Sequence, residues 1–380
     1  MKSIHGYPKL SKPKVVFIMG ATGTGKSKLS IDLAVHFQTE VINSDKIQVY
    51  KGLNVVTNKV TELERQGVPH HLLGVVDDPD VDFSAHDFCR DALIAIKEIT
   101  DRGRAAIIAG GSNSFIEVLV DDPTFYFRSI YDCCFIWLDV SPPVLSVHVS
   151  KRVDEMVAAG LTDEVRGMFV PEADYSRVIR RAIGVPEMDH FLRVENRMID
   201  DEKSKEVLLD DAINEIKVNT FKLTCLQVEK IRRLIEERRW NIRRIDATGV
   251  FESLGKDVEK AWESLVLEPS LAIVGDFLKG HEKSFNMPNQ FRATLPQVRM
   301  EMQARDEFGP VRGFDVPFDL VGDWDPSAIP PIDGELTSVE TSLAQSGLHP
   351  ASAAQGSSKA EHEPEPEASQ AEDDSMDIDL

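Results

Sequence analysis

Two stretches of the chain combine residue types that could do chemistry. Residues 20–27 read GATGTGKS, and residues 40–45 read EVINSD. The first has the spacing G-x-x-x-x-G-K-[ST], which turns successive backbone N–H groups into a concave nest and ends on a helix N-terminus with partial positive charge. There Gly20, Ala21, Gly23, Thr24 and Gly25 provide the backbone, Lys26 a cation, and Ser27 a hydroxyl able to ligate Mg²⁺. An oligophosphate with Mg²⁺ is the ligand that uses all of these at once. Nucleotide kinases, GTPases and prenyl transferases could all use such a loop, so it announces a phosphate without saying what the phosphate belongs to.

The elements that must position these residues follow from the apolar pattern. VVFIM at 15–19 is a short β-rich run that reads as a buried strand, and Leu29, Leu33, Ala34 and Phe37 follow at near-helical spacing. Residues 40–45 read as a second strand ending on polar groups; strand ends in an open α/β sheet face the ligand crevice, which delivers Asp45 towards the phosphate loop. Residues 46–59 mix cations and amides with few helix signals and read as a substrate-contacting segment. The pair His70–His71 follows a turn, and since adjacent side chains point in different directions, hydrogen bonding or packing fits them better than a metal site. From Ala85, the residues Phe88, Ala92, Ile96 and Ile99 mark a buried helical face that ends near Arg102 and Gly103. AAIIA at 105–109 is a further strand running out into GGSNS, where small residues allow close approach to a ligand. CCFIWLD at 133–139 and IRRID at 242–246 complete the set, with Cys133 and Cys134 as strand core. Alternating strands and helices imply an α/β fold, a P-loop NTPase-like parallel sheet flanked by helices.

Between residues 142 and 240 the pattern turns helical and highly charged and reads as a helical subdomain over the sheet. Asn219 and Lys222 are three apart there and share a helix face. The expected organisation is a flexible leader at 1–13, one domain at 14–280, an irregular proline-interrupted extension at 281–336, and a disordered acidic tail at 337–380. The formal net charge of -21 is unevenly spread: residues 301–380 hold 19 acidic and 3 basic residues, which leaves 45 acidic and 40 basic in residues 1–300. A nearly balanced body is not one that holds nucleic acid by bulk positive charge. The four cysteines lack C-x-x-C or zinc-finger spacing, which argues against a structural zinc site or a disulfide framework. No window approaches the ~18 consecutive apolar residues of a membrane span, and the leader has no apolar segment of the secretory kind. A soluble cytoplasmic protein is expected, or a plastid one if the native N-terminus is longer.

Taken together, GATGTGKS, VINSDKIQVYKGLNVVTNK, VPHHLLG, AGGSNSFIEVLV, DPTFYFRSIYDCCFIWLDV, SKRVDEMV, SRVIRRAIGVPE and NTFKLTCLQVEKIRRL resemble the plant adenylate isopentenyltransferases of cytokinin synthesis, in that family's order. The resemblance covers about residues 14–280. It implies transfer of a dimethylallyl group from dimethylallyl diphosphate to N6 of adenine in AMP, ADP or ATP, with the P-loop gripping the prenyl diphosphate rather than the nucleotide phosphates. It further implies that Lys26, Ser27 with Mg²⁺, the loop N–H groups, Thr22 and Arg152 stabilise the departing diphosphate, and that Asp45 is the general base. Asn58, Lys59, Ser112, Lys217, Asn219 and Lys222 are the candidates for holding the nucleotide or framing its channel.

A tRNA isopentenyltransferase is the nearest rival; TNK and GGSNSFIE, the lack of a zinc finger and the balanced body charge stand against it. A P-loop small-molecule kinase is the second rival, for which Arg180 and Arg181 could stand as a lid, and a binding protein without turnover is the third. The partners expected are therefore the prenyl diphosphate and an adenine nucleotide, with neither tRNA nor membrane, acting on a monomer.

Overall fold

A computed structural model describes residues 12–196 and 202–280 of the chain. The expectations for the first eleven residues, for the extension and for the acidic tail lie outside the described residues.

Six parallel strands form one sheet, and their apolar runs explain why. They are β1 (Lys14–Gly20), β2 (Val41–Asn43), β3 (His70–His71), β4 (Ala106–Ala109), β5 (Asp132–Asp139) and β6 (Ile242–Asp246), in the spatial order β3-β2-β4-β1-β5-β6. Central strands of a parallel sheet are covered on both faces, hence continuous apolar sequence rather than alternation. Val15, Phe17 and Met19 of β1 enter one apolar cluster while Val16 and Ile18 enter another, the period of two expected of a strand.

The first cluster lies under α2 (Ala85–Asp101), α3 (Asn113–Asp121) and the short α4 (Phe127–Ile130). All four apolar residues read as the face of α2 are at most 1% exposed, and a reciprocal Ser84 and Asp87 capping box sets where that helix starts. Phe17 stacks on Phe135 at 4.8 Å between ring centres, and Phe135 meets Trp240 at 4.6 Å. The second cluster holds α1 (Lys26–Phe37), α5 (Pro142–Ala158), α9 (Thr248–Glu252), α10 (Asp257–Trp262), a π-helical turn at Glu263–Leu267 and α11 (Glu268–Lys279).

A third cluster stands apart from the sheet. It gathers residues of α6 (Leu161–Met168), α7 (Asp189–Asn196) and the first half of α8 (Glu202–Glu236) around Val49, Tyr50, Leu53 and Val56. Those four residues are at most 5% exposed, so the segment read as a substrate loop also has a core of its own. Glu164 of α6 ties it down by accepting the N–H groups of Val55 (2.9 Å) and Val56 (2.8 Å).

The paired histidines are a two-residue edge strand. His71 Nε2 bonds Glu40 Oε2 at 2.8 Å, and Glu40 also accepts from Arg102 Nη2 at 2.6 Å. His70 Nδ1 lies 2.9 Å from Val68 O, so of the two roles expected for each histidine, hydrogen bonding or packing, both make a hydrogen bond; the pairing with β2 is what the sequence did not announce.

Because all six strands are parallel, the loops after β1, β2, β4 and β5 emerge along one edge. The chain leaves β1 for β2 on one side but leaves β4 for β5 on the other, which opens a crevice between β1 and β4.

Candidate active site

The phosphate loop occupies that crevice at the end of β1. Helix α2 has a side-chain cap and α1 has none: its N-cap is Gly25 in the left-handed region, φ 89°. The first-turn N–H groups of α1 are thus left without a side-chain cap, the arrangement that binds an anion. Gly25 is required for a second reason, since a Cβ there would stand 2.8 Å from the Trp262 ring. Lys26 is buried, and its Nζ donates to Ala21 O at 2.5 Å. Burial pushes its pKa down to about 8, against Asp45, which raises it, while Arg152 lowers it further. An unscreened ammonium in that setting waits for an anion. Thr24 Oγ1 also donates to Ala21 O, at 2.9 Å, which holds the turn closed.

Arg152, on α5, reaches the loop from above and donates through Nη2 to Thr22 Oγ1 at 2.9 Å. Its Nε is sealed from solvent without a partner, and burial lowers its pKa to about 10. A guanidinium with an unmet donor beside an uncapped helix start fits an oxyanion.

Asp45 follows β2 and is half-buried. Its Oδ1 accepts the N–H groups of Ile47 (3.0 Å) and Gln48 (3.4 Å), a turn that fixes the carboxylate. Its Oδ2 faces Gly111 across the crevice, where a Cβ would come within 3.0 Å of it. Ser112 closes the same floor: its Oγ accepts from Lys46 N at 2.9 Å, and its own N–H donates to Ser44 O at 3.3 Å.

The other candidates lie further out. Lys59 Nζ donates to Gly52 O (2.6 Å) and Thr57 Oγ1 (3.0 Å) within its own segment. Its pKa is lowered to about 8 by burial, with Glu164 and Asp45 acting to raise it. Asn58 is exposed and in the left-handed region, φ 50°, and its carbonyl accepts from Gln48 Nε2 at 3.2 Å. Lys217 pairs with Asp154 of α5 at 2.7 Å, and Lys222 is half-buried on α8. Asn219 is turned inward, donating through Nδ2 to the buried Glu187 Oε1 at 2.8 Å. The crevice thus brings together Thr22, Lys26, Arg152, Asp45 and Ser112, whereas the amide of Asn219 is spent inside the third cluster.

The model of the IPP transferase family matches residues 48–129 and 123–233. Adenylate isopentenyltransferase 5, chloroplastic, of Arabidopsis thaliana is 57% identical over 268 residues, 70% of this chain and 81% of that protein. Adenylate isopentenyltransferase 3, chloroplastic, of the same plant is 52% identical over 270 residues, 70% of this chain and 80% of that one. The chain belongs to the adenylate isopentenyltransferases. Among solved structures, a eukaryotic dimethylallyltransferase acting on tRNA is similar with a TM-score of 0.61 and 25% identity, covering 75% of this chain and 84% of that one.

In this adenylate isopentenyltransferase the donor set can be tested against Mg²⁺. Ser27 is exposed at the first turn of α1, and among the described residues no three His, Cys, Asp or Glu side chains gather into a metal site. Mg²⁺ takes most of its six ligands from water and substrate phosphates, so one hydroxyl beside the cradle fits it.

One residue at the crevice escaped the sequence reading. Gln227 of α8 accepts the Thr22 N–H on Oε1 at 2.7 Å and donates through Nε2 to Gly111 O at 3.0 Å. One backbone donor of the loop is therefore taken by the protein and not left for phosphate. The signal was present: Ala212, Ile216, Thr220, Thr224, Gln227, Ile231 and Leu234 recur at helical spacing, and the stripe turns polar in its middle where it passes the crevice.

Proposed function

We propose that this enzyme transfers the dimethylallyl group of dimethylallyl diphosphate to N6 of adenine in AMP, ADP or ATP, the first committed chemistry of a cytokinin. The observation that carries the reading is the crevice itself. A phosphate cradle with two cations, the buried Lys26 and the half-buried Arg152, faces a fixed carboxylate, Asp45, across the gap between β1 and β4.

The bond from prenyl C1 to the diphosphate oxygen breaks, and its electron pair leaves with the diphosphate. Lys26, the open N–H groups of α1 and the unmet Nε of Arg152 stand where that charge grows. Mg²⁺ held through Ser27 and the phosphate oxygens would neutralise part of the same charge. The adenine amine is a weak nucleophile because its lone pair is drawn into the ring. As N6 bonds to C1, its proton passes to the Asp45 Oδ2, the oxygen that the Ile47 and Gln48 N–H groups leave open.

The working unit proposed is a monomer, since the scheme calls on no group beyond these. The similar solved structure acts on tRNA, but the near-balanced body of this chain offers no counterpart to the charge a tRNA backbone demands. Among the described residues no helix is long and apolar enough to cross a membrane. The chloroplastic relatives favour the plastid over the cytoplasm as its compartment.

The test is a parallel incubation of purified enzyme with dimethylallyl diphosphate, Mg²⁺ and AMP, ADP, ATP or unmodified tRNA. Prenylated nucleotide is the expected product. Prenylated tRNA alone, or phosphate transfer without prenyl transfer, overturns the reading.

A further inference from the structure

Helix α8 does two packing jobs at its two ends. Ala212 and Ile216 are buried in the third cluster, away from the sheet, while Ile231 and Leu234 are buried in the first cluster, on the sheet. Between them the inward face crosses the crevice, and there the helix presents Gln227. Its amide meets complementary groups on either side: the Thr22 N–H needs an acceptor and the Gly111 carbonyl needs a donor. Rotating the amide by half a turn would set N–H against N–H and oxygen against oxygen, so both partners together fix its orientation. The contact leaves no slack. A Cβ on Gly111 would fall 2.6 Å from Gln227 Nε2, and Asn113 of α3 donates through Nδ2 to the backbone carbonyl of Gln227 at 3.2 Å, which holds the helix there.

Each partner of that amide borders one half of the reaction. Thr22 carries the hydroxyl that accepts from Arg152 at 2.9 Å, on the diphosphate side. Gly111 lies directly against Asp45 Oδ2, on the adenine side. The two loops leave different strands, β1 and β4, and the side chain of Gln227 spans them.

We propose that Gln227 is a positioning residue of the transfer reaction: acting through Thr22 and Gly111, it sets the separation between the diphosphate cradle and the Asp45 carboxylate. The proposal rests on the prenyl-transfer reading above. Displacement at C1 needs leaving group, carbon and incoming N6 in line, and a misplacement of about 1 Å costs roughly 10²-fold in rate. Binding of diphosphate alone makes no such demand, because it involves only one side of the crevice.

The closing experiment compares wild type with Gln227→Met, which keeps the volume and removes both hydrogen bonds. Turnover with dimethylallyl diphosphate and each adenine nucleotide, affinity for inorganic diphosphate, and thermal midpoint are measured together. The expected result is a kcat lower by ~10–10²-fold with diphosphate affinity within ~3-fold of wild type. Gln227→Glu, which can still accept from Thr22 but cannot donate to Gly111 at neutral pH, serves where the Met variant does not fold and is expected to lose kcat likewise. Unchanged kcat, or diphosphate affinity falling in step with kcat/KM while kcat holds, overturns the proposal. Wild-type enzyme silent with every adenine nucleotide overturns the prenyl-transfer reading instead.

Discussion

Lys26 answers two opposed demands, since the anion it awaits requires its charge and the burial that sharpens that charge opposes it. Its folded pKa of about 8 lies below the ordinary lysine value of 10.5. Between those values the unfolded chain binds more protons than the folded one, so stability rises with pH across that window, and below about pH 8 the buried charge weighs against the fold. Lys26→Met should therefore raise the thermal midpoint at pH 7 by a few degrees, ~2–4 °C, while abolishing turnover; an unchanged or lower midpoint in a melting experiment would contradict this. In the wild type, affinity for diphosphate should weaken as pH rises through about 8, and titration calorimetry should find that component missing in the Met variant. Asp45 is the complementary case. Asp45→Asn keeps the shape of the turn but not the proton acceptor, and kcat should fall ~10²–10⁴-fold while diphosphate still binds. Near-normal turnover in that variant would remove Asp45 from the base role.

Elements distant in sequence hold the loop that local sequence builds. Trp262, at the end of α10, presses its ring on Gly25, donates through Nε1 to Asp32 at 2.8 Å and lies under Lys28 at 5.0 Å. Trp262→Ala should cost about 3–5 kcal/mol in urea unfolding. Trp262→Phe should cost less, about 1–2 kcal/mol, since it keeps most of the ring and leaves the Asp32 carboxylate with Lys28, 3.4 Å away, as its partner. Both should weaken diphosphate binding; equal losses in the two variants would rule out the ring contact with Gly25 as a contributor, and a Trp262→Phe variant that binds like wild type would rule out the hydrogen bond. The same contrast explains what the sequence made legible. The strand, loop and helix around Lys26, the face of α2, and the small residues after β4 are signalled within a few residues, by period and by glycine. The two-residue strand at His70 has no period to read. Asn219 was correctly placed on a helix face with Lys222, but period reports a face and not its partner, and Glu187 is 32 residues away. Gln227 lies 205 residues from Thr22, so only the folded chain shows that they meet.

At the scale of the whole molecule, the described fold closes before the acidic region begins. Val274 and Phe277 of α11 are buried in the second cluster, and Lys14 at the start of β1 donates through Nζ to Phe277 O at 2.6 Å. The crevice draws its groups from positions 20 to 227, all within that closed unit. A chain ending at residue 300 should therefore keep its fold, and its kcat should stay within about two-fold of the full chain, because no group of the site is removed. Ending it at residue 256 instead removes Trp262, Val266, Val274 and Phe277 from the core and should abolish cooperative unfolding altogether. The 80 residues cut in the first case carry 19 acidic and 3 basic residues, a field that repels an anionic nucleotide and a diphosphate alike. Removing them should lower KM for both substrates at low ionic strength, by about two-fold. The difference should fade by 0.15 M salt, where the screening length is about 8 Å. A truncated enzyme with a normal melting curve but a kcat reduced tenfold or more would place a working group in the acidic region, and a KM difference that survives at high salt would show that its effect is one of contact rather than charge.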